Sequence, residues 1–286
     1  MKYMMDTLFE NLTRFLALLV LVVLVAVFVV LYNNAEPAIE KYGLSFVTNE
    51  KWAPNMNIFG GFPAILGSVL STLIAMLLAT PIAIGIAIFL SEIAPAKLKT
   101  SFGVSIELLA AIPSVIYGMW GLFYFAPVVR EIFGGNGIGL LTGGFILAVM
   151  IFPFIAAITR DSMNTTPDIL KESAYALGAT KWDVIKDVVI PYAKAGVIGS
   201  VILALGRAIG ETMAVTFVIG NVHQIPSLIT DATTSIPVTL ANEFNEAESK
   251  LHYASLFYLA LLLFAISFIV IAFAKFYFLR KVRKAK

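Results

Sequence analysis

Residues 15–31 read FLALLVLVVLVAVFVVL, a stretch without a single polar side chain. A helix needs about 20 apolar residues to cross the roughly 30 Å hydrocarbon core of a bilayer. The stretch is longer than the about 7–15 apolar residues of a secretory signal peptide, and two acids, Asp6 and Glu10, precede it. It therefore predicts a transmembrane helix that is retained in the mature protein.

Similar apolar runs recur along the rest of the chain. With the first run near residues 15–32, they lie near residues 64–90, 104–126, 138–159, 195–219 and 254–279. Hydrophobic residues make up 59% of the 286 residues and charged residues only 13%, whereas a soluble domain carries roughly 25% charged residues. The sequence predicts an all-α membrane protein with six transmembrane helices.

The predicted organisation has three parts. Residues 1–62 comprise an N-terminal lead-in, the first transmembrane helix and an outer loop, and the lead-in is amphipathic because its apolar residues from Met5 to Leu12 recur at helical spacing. Residues 63–280 form the transmembrane core, with a long loop at residues 161–194. Residues 281–286 form a basic tail.

The positive charges are distributed unevenly between the two sides of these spans. Of the 20 Lys and Arg residues, fifteen fall on the side of the N-terminus, four fall on the other side, and Arg207 lies inside a span. Cytoplasmic loops carry the excess of Lys and Arg in membrane proteins. We therefore expect a multi-pass membrane protein with both termini in the cytoplasm.

Several kinds of chemistry are excluded or disfavoured. The chain has no cysteine, so it forms no disulfide and uses no thiolate. The glycine-rich stretch 134–144 lacks the Lys-Ser/Thr of a phosphate-binding P-loop. No spacing is typical of a metal site or a catalytic triad, and we expect His223 and His252 to be lone solvated histidines. We predict no catalytic residue, no metal site, no cofactor and no nucleic-acid partner.

The loop at residues 161–194 is patterned as two short helices. Thr166 and Pro167 are typical of a helix start, and Gly178 is typical of a C-terminal cap. Thr180 with Asp183 forms a capping-box pattern for a second helix. We expect that helix to run to Ile190, where Pro191 interrupts it before the fifth span.

The same loop resembles the conserved cytoplasmic loop of ABC importer permeases. The matching positions are Glu172, Ser173, Ala174, Gly178, Val188, Ile190 and Pro191. The resemblance implies the type I permease fold of ABC importers, in which this loop is a coupling helix that docks on a separate ATP-hydrolysing subunit. Small residues at Ala174, Gly178 and Ala179 would permit close approach, and Trp182 would anchor the contact. The alternative is an amphipathic loop that packs only against its own spans.

Two charges fall inside the fifth predicted span. Arg207 lies near the bilayer midplane and Glu211 four residues later, so a continuous helix would put both on one face. The guanidinium fork matches an oxyanion, which indicates an anionic solute, although a structural ion pair is the alternative. Glu107, in the third span, either pairs with a basic group or stays protonated in a buried site.

Three segments resemble phosphate-specific ABC permeases of the PstC type. They are GRAIGETMAV at residues 206–215, ELLAAIPS at 107–114 and ANEF at 241–244. The resemblance implies that inorganic phosphate is the solute, that Arg207 and Glu211 line its route, and that the membrane is the plasma membrane of a bacterium or archaeon. We also expect Glu107 along the path. The resemblance also implies a second permease of the PstA type, two ATP-binding subunits and an external phosphate-binding protein. ATP hydrolysis would then occur on separate subunits, and the chain itself would not be an enzyme.

Other functions stay open at this point. The solute could be another oxyanion, sulfate or molybdate, or the chain could be an ion-coupled secondary anion transporter that uses Arg207 and Glu211 as a proton relay. Within the phosphate hypothesis, Glu211 either accepts a hydrogen bond from the proton of hydrogen phosphate, which sulfate lacks at neutral pH, or neutralises Arg207 in the resting state.

Overall fold

The computed structural model describes the backbone of residues 2–283 and the side chains of residues 6–276. The described chain is almost entirely helical, and its only β-type pairs are two isolated bridges, Ala53–Ile58 and Gly220–Thr233. The helices are α1 Lys2–Tyr42, α2 Ser45–Thr48, α3 Phe62–Ile88, α4 Ala96–Ala110, α5 Ser114–Trp120, α6 Ala126–Phe133, α7 Leu140–Asn164, α8 Asp168–Ala176, α9 Lys181–Val184, α10 Ile190–Ile209, α11 Met213–Thr216, α12 Ile236–Glu243 and α13 Lys250–Arg283. The side chains of the predicted basic tail, residues 281–286, lie outside the described residues.

Five stretches of helix are long and apolar enough to cross a membrane. They are Asp6–Tyr42, Phe62–Ile93, Leu140–Asn164, Lys181–Ile209 and Lys250–Phe276. A sixth candidate consists of α4 together with the helical segment Ser114–Phe133, which meet at an angle of 92°. Counted as one bent span, this pair completes the six predicted transmembrane helices and confirms the all-α membrane fold.

The third span, predicted near residues 104–126, consists of two helices that meet at a bend. The helix stops at Ala110, and Ala111 and Ile112 form a turn before Pro113. A proline ring clashes with a helical conformation of the preceding residue, so Ile112 leaves the helix and the chain changes direction. The 92° bend follows from this local restriction.

Two other predicted spans have different ends in the structure. Helix α1 runs without a break from the lead-in to Tyr42, ten residues beyond the predicted end of the first span. The fifth span, predicted over residues 195–219, ends at Ile209, and a short helix resumes only at Met213. Glycine is a poor helix former, and Gly210 stands at this break.

The core lies where α7 packs against α3 and α10. On α3 the contact is lined by small residues that recur every four positions, Ala75, Ala79 and Ala83, all of them buried. Small side chains let helices approach closely in a membrane, where apolar burial against lipid gives no driving force. At Gly144 on α7 the approach is so close that a Cβ atom would lie 2.7 Å from the side chain of Ile74. This packing sets the position of α10 and therefore of Arg207.

Candidate substrate path and coupling loop

Arg207 lies in the last turn of α10 and is half-buried. Its Cζ atom stands 5.7 Å from the centre of the Phe154 ring on α7, a distance at which a cation is attracted by the ring face. No carboxylate lies within 4.0 Å of its guanidinium among the described residues. The side chain is therefore positioned by packing, and its charge is not neutralised by an ion pair.

Glu211 lies beyond the end of α10, so the prediction that Arg207 and Glu211 share one helical face is wrong. Because the helix ends at Ile209, the four-residue spacing no longer places the two side chains above one another. One oxygen of Glu211, Oε1, accepts a hydrogen bond from the backbone N–H of Ala214 at 3.2 Å. The carboxylate thus caps the start of α11 and forms no ion pair with Arg207 in this structure.

Glu107 pairs with a basic group, which is one of the two alternatives expected from the sequence. Its Oε1 atom lies 2.6 Å from Nη2 of Arg160 on α7, and Arg160 also binds Asp161 at 2.8 Å. The Glu107 side chain is 57% exposed, so the alternative of a buried acid is wrong. The contact between Glu107 and Arg160 involves neither Arg207 nor Glu211. It joins α4, the first half of the bent span, to α7.

The loop between α7 and α10 contains the predicted glycine turn. Helix α8 ends at Ala176, and Gly178 has a φ of +87°, which is strained for a residue with a side chain. The N–H of Gly178 donates to the carbonyl of Tyr175, and the N–H of Ala179 donates to the carbonyl of Ala174. These two bonds form a Schellman motif and confirm Gly178 as the C-terminal cap.

The start of α9 also follows the sequence. The Thr180 hydroxyl accepts from the backbone N–H of Asp183, and the Asp183 carboxylate accepts from the backbone N–H of Thr180, so the capping box is confirmed. The start of α8, in contrast, differs from the sequence prediction. Pro167 occupies the cap position, and the buried Thr166 hydroxyl has no hydrogen-bond partner among the described residues.

Pro191 does not interrupt the helix, contrary to the prediction. A π-helical turn at Ile185–Val189 directly precedes it, and the chain continues as helix from Lys181 to Ile209. The inserted turn changes the hydrogen-bond register before the proline, so the missing N–H and the bulky ring are accommodated. The loop between α7 and α10 is therefore joined to the fifth span by continuous helix.

The predicted coupling residues fall into two groups. Ala174, Ala179 and Ile190 are half-buried and pack against the buried cluster that includes Met163 and Val184. The exposed group comprises Glu172, Ser173, Gly178, Trp182 and Pro191. Trp182 is 60% exposed and the neighbouring Leu177 is 90% exposed. The loop packs on its own spans with one side and leaves the other side, including large apolar side chains, uncovered within this chain.

The expectation of lone solvated histidines is wrong. His223 and His252 both contact Glu243, with Nε2 to carboxylate oxygen distances of 2.6 and 2.9 Å. The indole N–H of Trp52 donates to the same carboxylate at 2.8 Å, and the Trp52 ring stacks on His223. We call Trp52, His223, Glu243 and His252 the outer cluster. Its side chains come from four separate parts of the chain.

The outer cluster keeps Glu243 charged. Burial raises the pKa of Glu243, but hydrogen bonding and charge from His223, with hydrogen bonds from Trp52 and His252, outweigh burial and hold the pKa below its ordinary value. Among the described residues no group of three His, Asp or Glu side chains has the geometry to hold a metal ion. The cluster is thus a set of hydrogen bonds around one carboxylate.

A family model described as "Binding-protein-dependent transport system inner membrane component" matches residues 56–284. This chain belongs to that permease family. The permease is a membrane component of an ABC importer, a class of protein that works with other subunits and is not itself an enzyme.

Curated relatives resemble the permease over nearly its whole length. A protein from Mesorhizobium japonicum named "Phosphate transport system permease protein PstC" is 46% identical, covering 96% of this chain and 90% of its own. A protein of the same name from Pasteurella multocida is 44% identical, covering 99% of this chain and 94% of its own. A probable PstC of Methanocaldococcus jannaschii is 35% identical over 84% and 82% of the two chains.

Solved structures share the fold of the permease. A chain of the bacterial alginate ABC transporter, in complex with an alginate-bound periplasmic protein, has a TM-score of 0.62 and 15% identity, covering 93% of this chain and 95% of that one. A chain of the inward-facing MetNI methionine ABC transporter has a TM-score of 0.61 and 18% identity, covering 78% and 94%. At these identities the likeness shows the ABC importer permease fold.

Sequence reasoning missed two groups of residues in the permease. The outer cluster contains Glu243 from the ANEF segment, but its partners Trp52, His223 and His252 lie outside that segment, 191, 20 and 9 positions away. The ion pair between Lys171 and Glu92, 2.8 Å long, joins the loop between α7 and α10 to the end of the second span. A charge at Lys171 next to the motif residue Glu172 was visible in the sequence, but its partner 79 residues away was not.

Proposed function

We propose that the permease carries inorganic phosphate into the cell, driven by ATP hydrolysis on separate subunits. The observation that carries this proposal is Arg207, a half-buried guanidinium inside a span with no carboxylate within ion-pair distance among the described residues. Placing an arginine at this depth costs roughly 2.5–3.5 kcal/mol on insertion scales. An arginine there without an acidic partner therefore attracts an anion. The relatives named as phosphate permeases support phosphate as that anion.

We assign the path to Arg207 and Glu211, with Glu107 at its cytoplasmic end. Arg207 supplies a planar set of donors for two phosphate oxygens. One oxygen of Glu211 is engaged by the backbone, and the carboxylate retains acceptor capacity for the proton of hydrogen phosphate. Because sulfate has no proton to donate at neutral pH, this acceptor favours phosphate. Neutralisation of Arg207 by Glu211 has no support in the observed geometry.

We assign the exposed side of the cytoplasmic loop to docking on the ATP-binding subunits. Glu172, Ser173 and Trp182 lie on that side, and Gly178 gives the bend between the two helices. Continuous helix from Lys181 to Ile209 would carry movement of the loop toward Arg207. The complex would comprise this permease, a related second permease of the PstA type, two ATP-binding subunits and an external phosphate-binding protein. The expected arrangement has both termini in the cytoplasm, with residues 63–280 as the transport core.

The test is labelled phosphate uptake by cells whose own permease is replaced by wild type, Arg207→Gln or the matched control Arg130→Gln. Arg130 is an exposed arginine on α6, away from the fifth span. We expect uptake to be lost for Arg207→Gln and kept for Arg130→Gln, with equal co-purification of the ATP-binding subunit. Normal uptake by Arg207→Gln would contradict the assignment of the path.

The energy source and the solute are tested in the same cells. ATP depletion should stop uptake, whereas collapse of the proton gradient with ATP maintained should leave it running; the reverse result would favour a secondary transporter. Excess sulfate or molybdate should compete weakly with labelled phosphate, and strong competition would reassign the solute. Gly178→Trp should abolish assembly or coupling, because a side chain at a φ of +87° is strained and the indole would stand on the docking side.

A further inference from the structure

One ion pair, whose two side chains are mostly but not fully buried, joins the cytoplasmic loop to the second span. Lys171 Nζ lies 2.8 Å from Glu92 Oε1, and the two side chains are 17% and 10% exposed. The other ion pair inside the loop, Lys186 with Asp187, has a distance of 4.0 Å and side chains that are 64% and 65% exposed. Among the described residues, Lys171–Glu92 is therefore the ion pair that links the loop to another span.

The two residues of this ion pair lie in the cytoplasmic loop and at the end of the second span. Lys171 lies in α8, and the exposed Ile169, two residues earlier, lies on nearly the opposite side of that helix. Glu92 lies in the π-helical turn Phe89–Ile93 that ends the second span. Helix α8 thus exposes the apolar Ile169 on one side and is held to the second span by Lys171 on the other side.

The π-helical turn at Glu92 is held from a second direction. The ammonium group of Lys99, on α4, donates to the backbone carbonyl of Ser91 in the same turn. Single π turns inside helices occur frequently at functional sites. The second span, α3, packs along α7 and also contacts α10, which carries Arg207. A displacement of the turn would therefore reach the helix of the proposed path.

The cost of burying the two charges makes this contact a firm connection. A buried ion pair adds little net stability compared with apolar side chains, but removal of one partner leaves the other charge buried and unpaired. Motion that separates Lys171 from Glu92 has the same effect. The pair therefore resists separation, so α8 and the end of α3 move together.

We propose that Lys171 and Glu92 are positioning residues that transmit movement of the cytoplasmic loop to the second span. This inference rests on the proposed function, because it assigns a route for ATP-driven motion. In the working cycle, the ATP-binding subunits displace α8, the ion pair carries the end of α3 with it, and the packing of α3 on α7 and α10 changes around Arg207. The docking surface and the path are thus connected through the second span as well as through the fifth.

The experiment compares Lys171→Ala, Glu92→Ala and the charge-swapped double variant Lys171→Glu/Glu92→Lys in the assembled complex. Lys97→Ala is the matched control, an exposed lysine on α4 at the same end of the molecule. Each complex is reconstituted in vesicles with its binding protein, and labelled phosphate uptake and ATP hydrolysis are measured together. The decisive quantity is the amount of phosphate taken up per ATP hydrolysed.

We expect both single variants to assemble and hydrolyse ATP but to take up about tenfold less phosphate per ATP, within the usual range of coupling between sites. The swapped variant should recover most of this loss, and Lys97→Ala should match wild type. Unchanged uptake per ATP in the single variants, a swap as poor as the singles, or a loss that only reflects less assembled complex would overturn the inference. Absence of ATP-driven phosphate uptake by the wild-type complex would instead overturn the proposed function.

Discussion

The outer cluster and the Arg207 region both place a charged side chain in poorly hydrated surroundings, but the side chains around the two charges differ. Glu243 is surrounded by three side-chain donors, from Trp52, His223 and His252. Arg207 has an aromatic ring beside it and no carboxylate within ion-pair distance among the described residues. The outer charge is fully engaged, whereas the charge inside the span is left available.

This difference separates two uses of a charged side chain. A carboxylate with all its partners in place joins parts of a fold, and its loss costs stability. A guanidinium that the protein itself does not neutralise contributes little to folding and can meet a solute. The comparison therefore predicts that variants at the two places will fail in different ways, in stability at the outer cluster and in transport at Arg207.

The largest effect should come from Arg207→Gln. We expect phosphate uptake to fall about 10- to 100-fold, since a hydrogen bond to a charged group contributes roughly 1.5–3 kcal/mol. The melting temperature of the purified complex should stay at the wild-type value, because no ion pair is removed. Parallel losses of melting temperature and uptake would show that Arg207 is structural. The proposed difference between Arg207 and Glu243 would then be wrong.

Glu243→Gln should show the opposite pattern. Loss of the carboxylate leaves the surrounding donors with a poorer acceptor, and we expect about 1–3 kcal/mol of destabilisation. Thermal unfolding measures the loss, and uptake per folded molecule should be unchanged. The matched control is Glu246→Gln, an exposed acid three residues further on, for which we expect no change. An uptake defect in fully folded Glu243→Gln would place the outer cluster in the transport cycle.

Glu211→Gln should have a smaller effect, and the quantity that changes should be the preference for phosphate over sulfate. An amide can donate as well as accept, so the preference for a solute that carries a proton weakens. We expect the ratio of phosphate to sulfate uptake to fall about 2- to 10-fold, the value of one ordinary hydrogen bond. Competition between the two labelled anions in the same vesicles measures this ratio. A preference equal to wild type would remove Glu211 from the selectivity of the path.

The smallest effect is a pH dependence of the outer cluster. The pKa of Glu243 is lowered in the folded protein, so its stabilising contribution is fully present above its ordinary value of 4.5 and is lost as the pH falls through the lower folded pKa. The gap in melting temperature between wild type and Glu243→Gln should therefore be constant near neutral pH and close in acid. A gap that widens below pH 4.5 would contradict this assignment.

The sequence by itself determined the membrane fold and the local structure of the loop between α7 and α10. An apolar run of sufficient length can be stable only across a bilayer, so composition predicts the spans without knowledge of their packing. The Gly178 cap and the Thr180–Asp183 capping box depend on hydrogen bonds between residues at most five positions apart, which the sequence order already places together. The loop motif was recognisable for the same reason, because its spacing is local.

Only the tertiary structure decided which charges meet. Trp52 and His223 reach Glu243 across 191 and 20 positions, His252 reaches it from the next helix, and Lys171 reaches Glu92 across 79 positions. The end of α10 at Ile209 separated Arg207 from Glu211, although helical periodicity had put them on one face. Contacts between distant segments depend on how all the helices pack, and helix ends depend on the competing bonds available there, so periodicity along a single segment could determine neither.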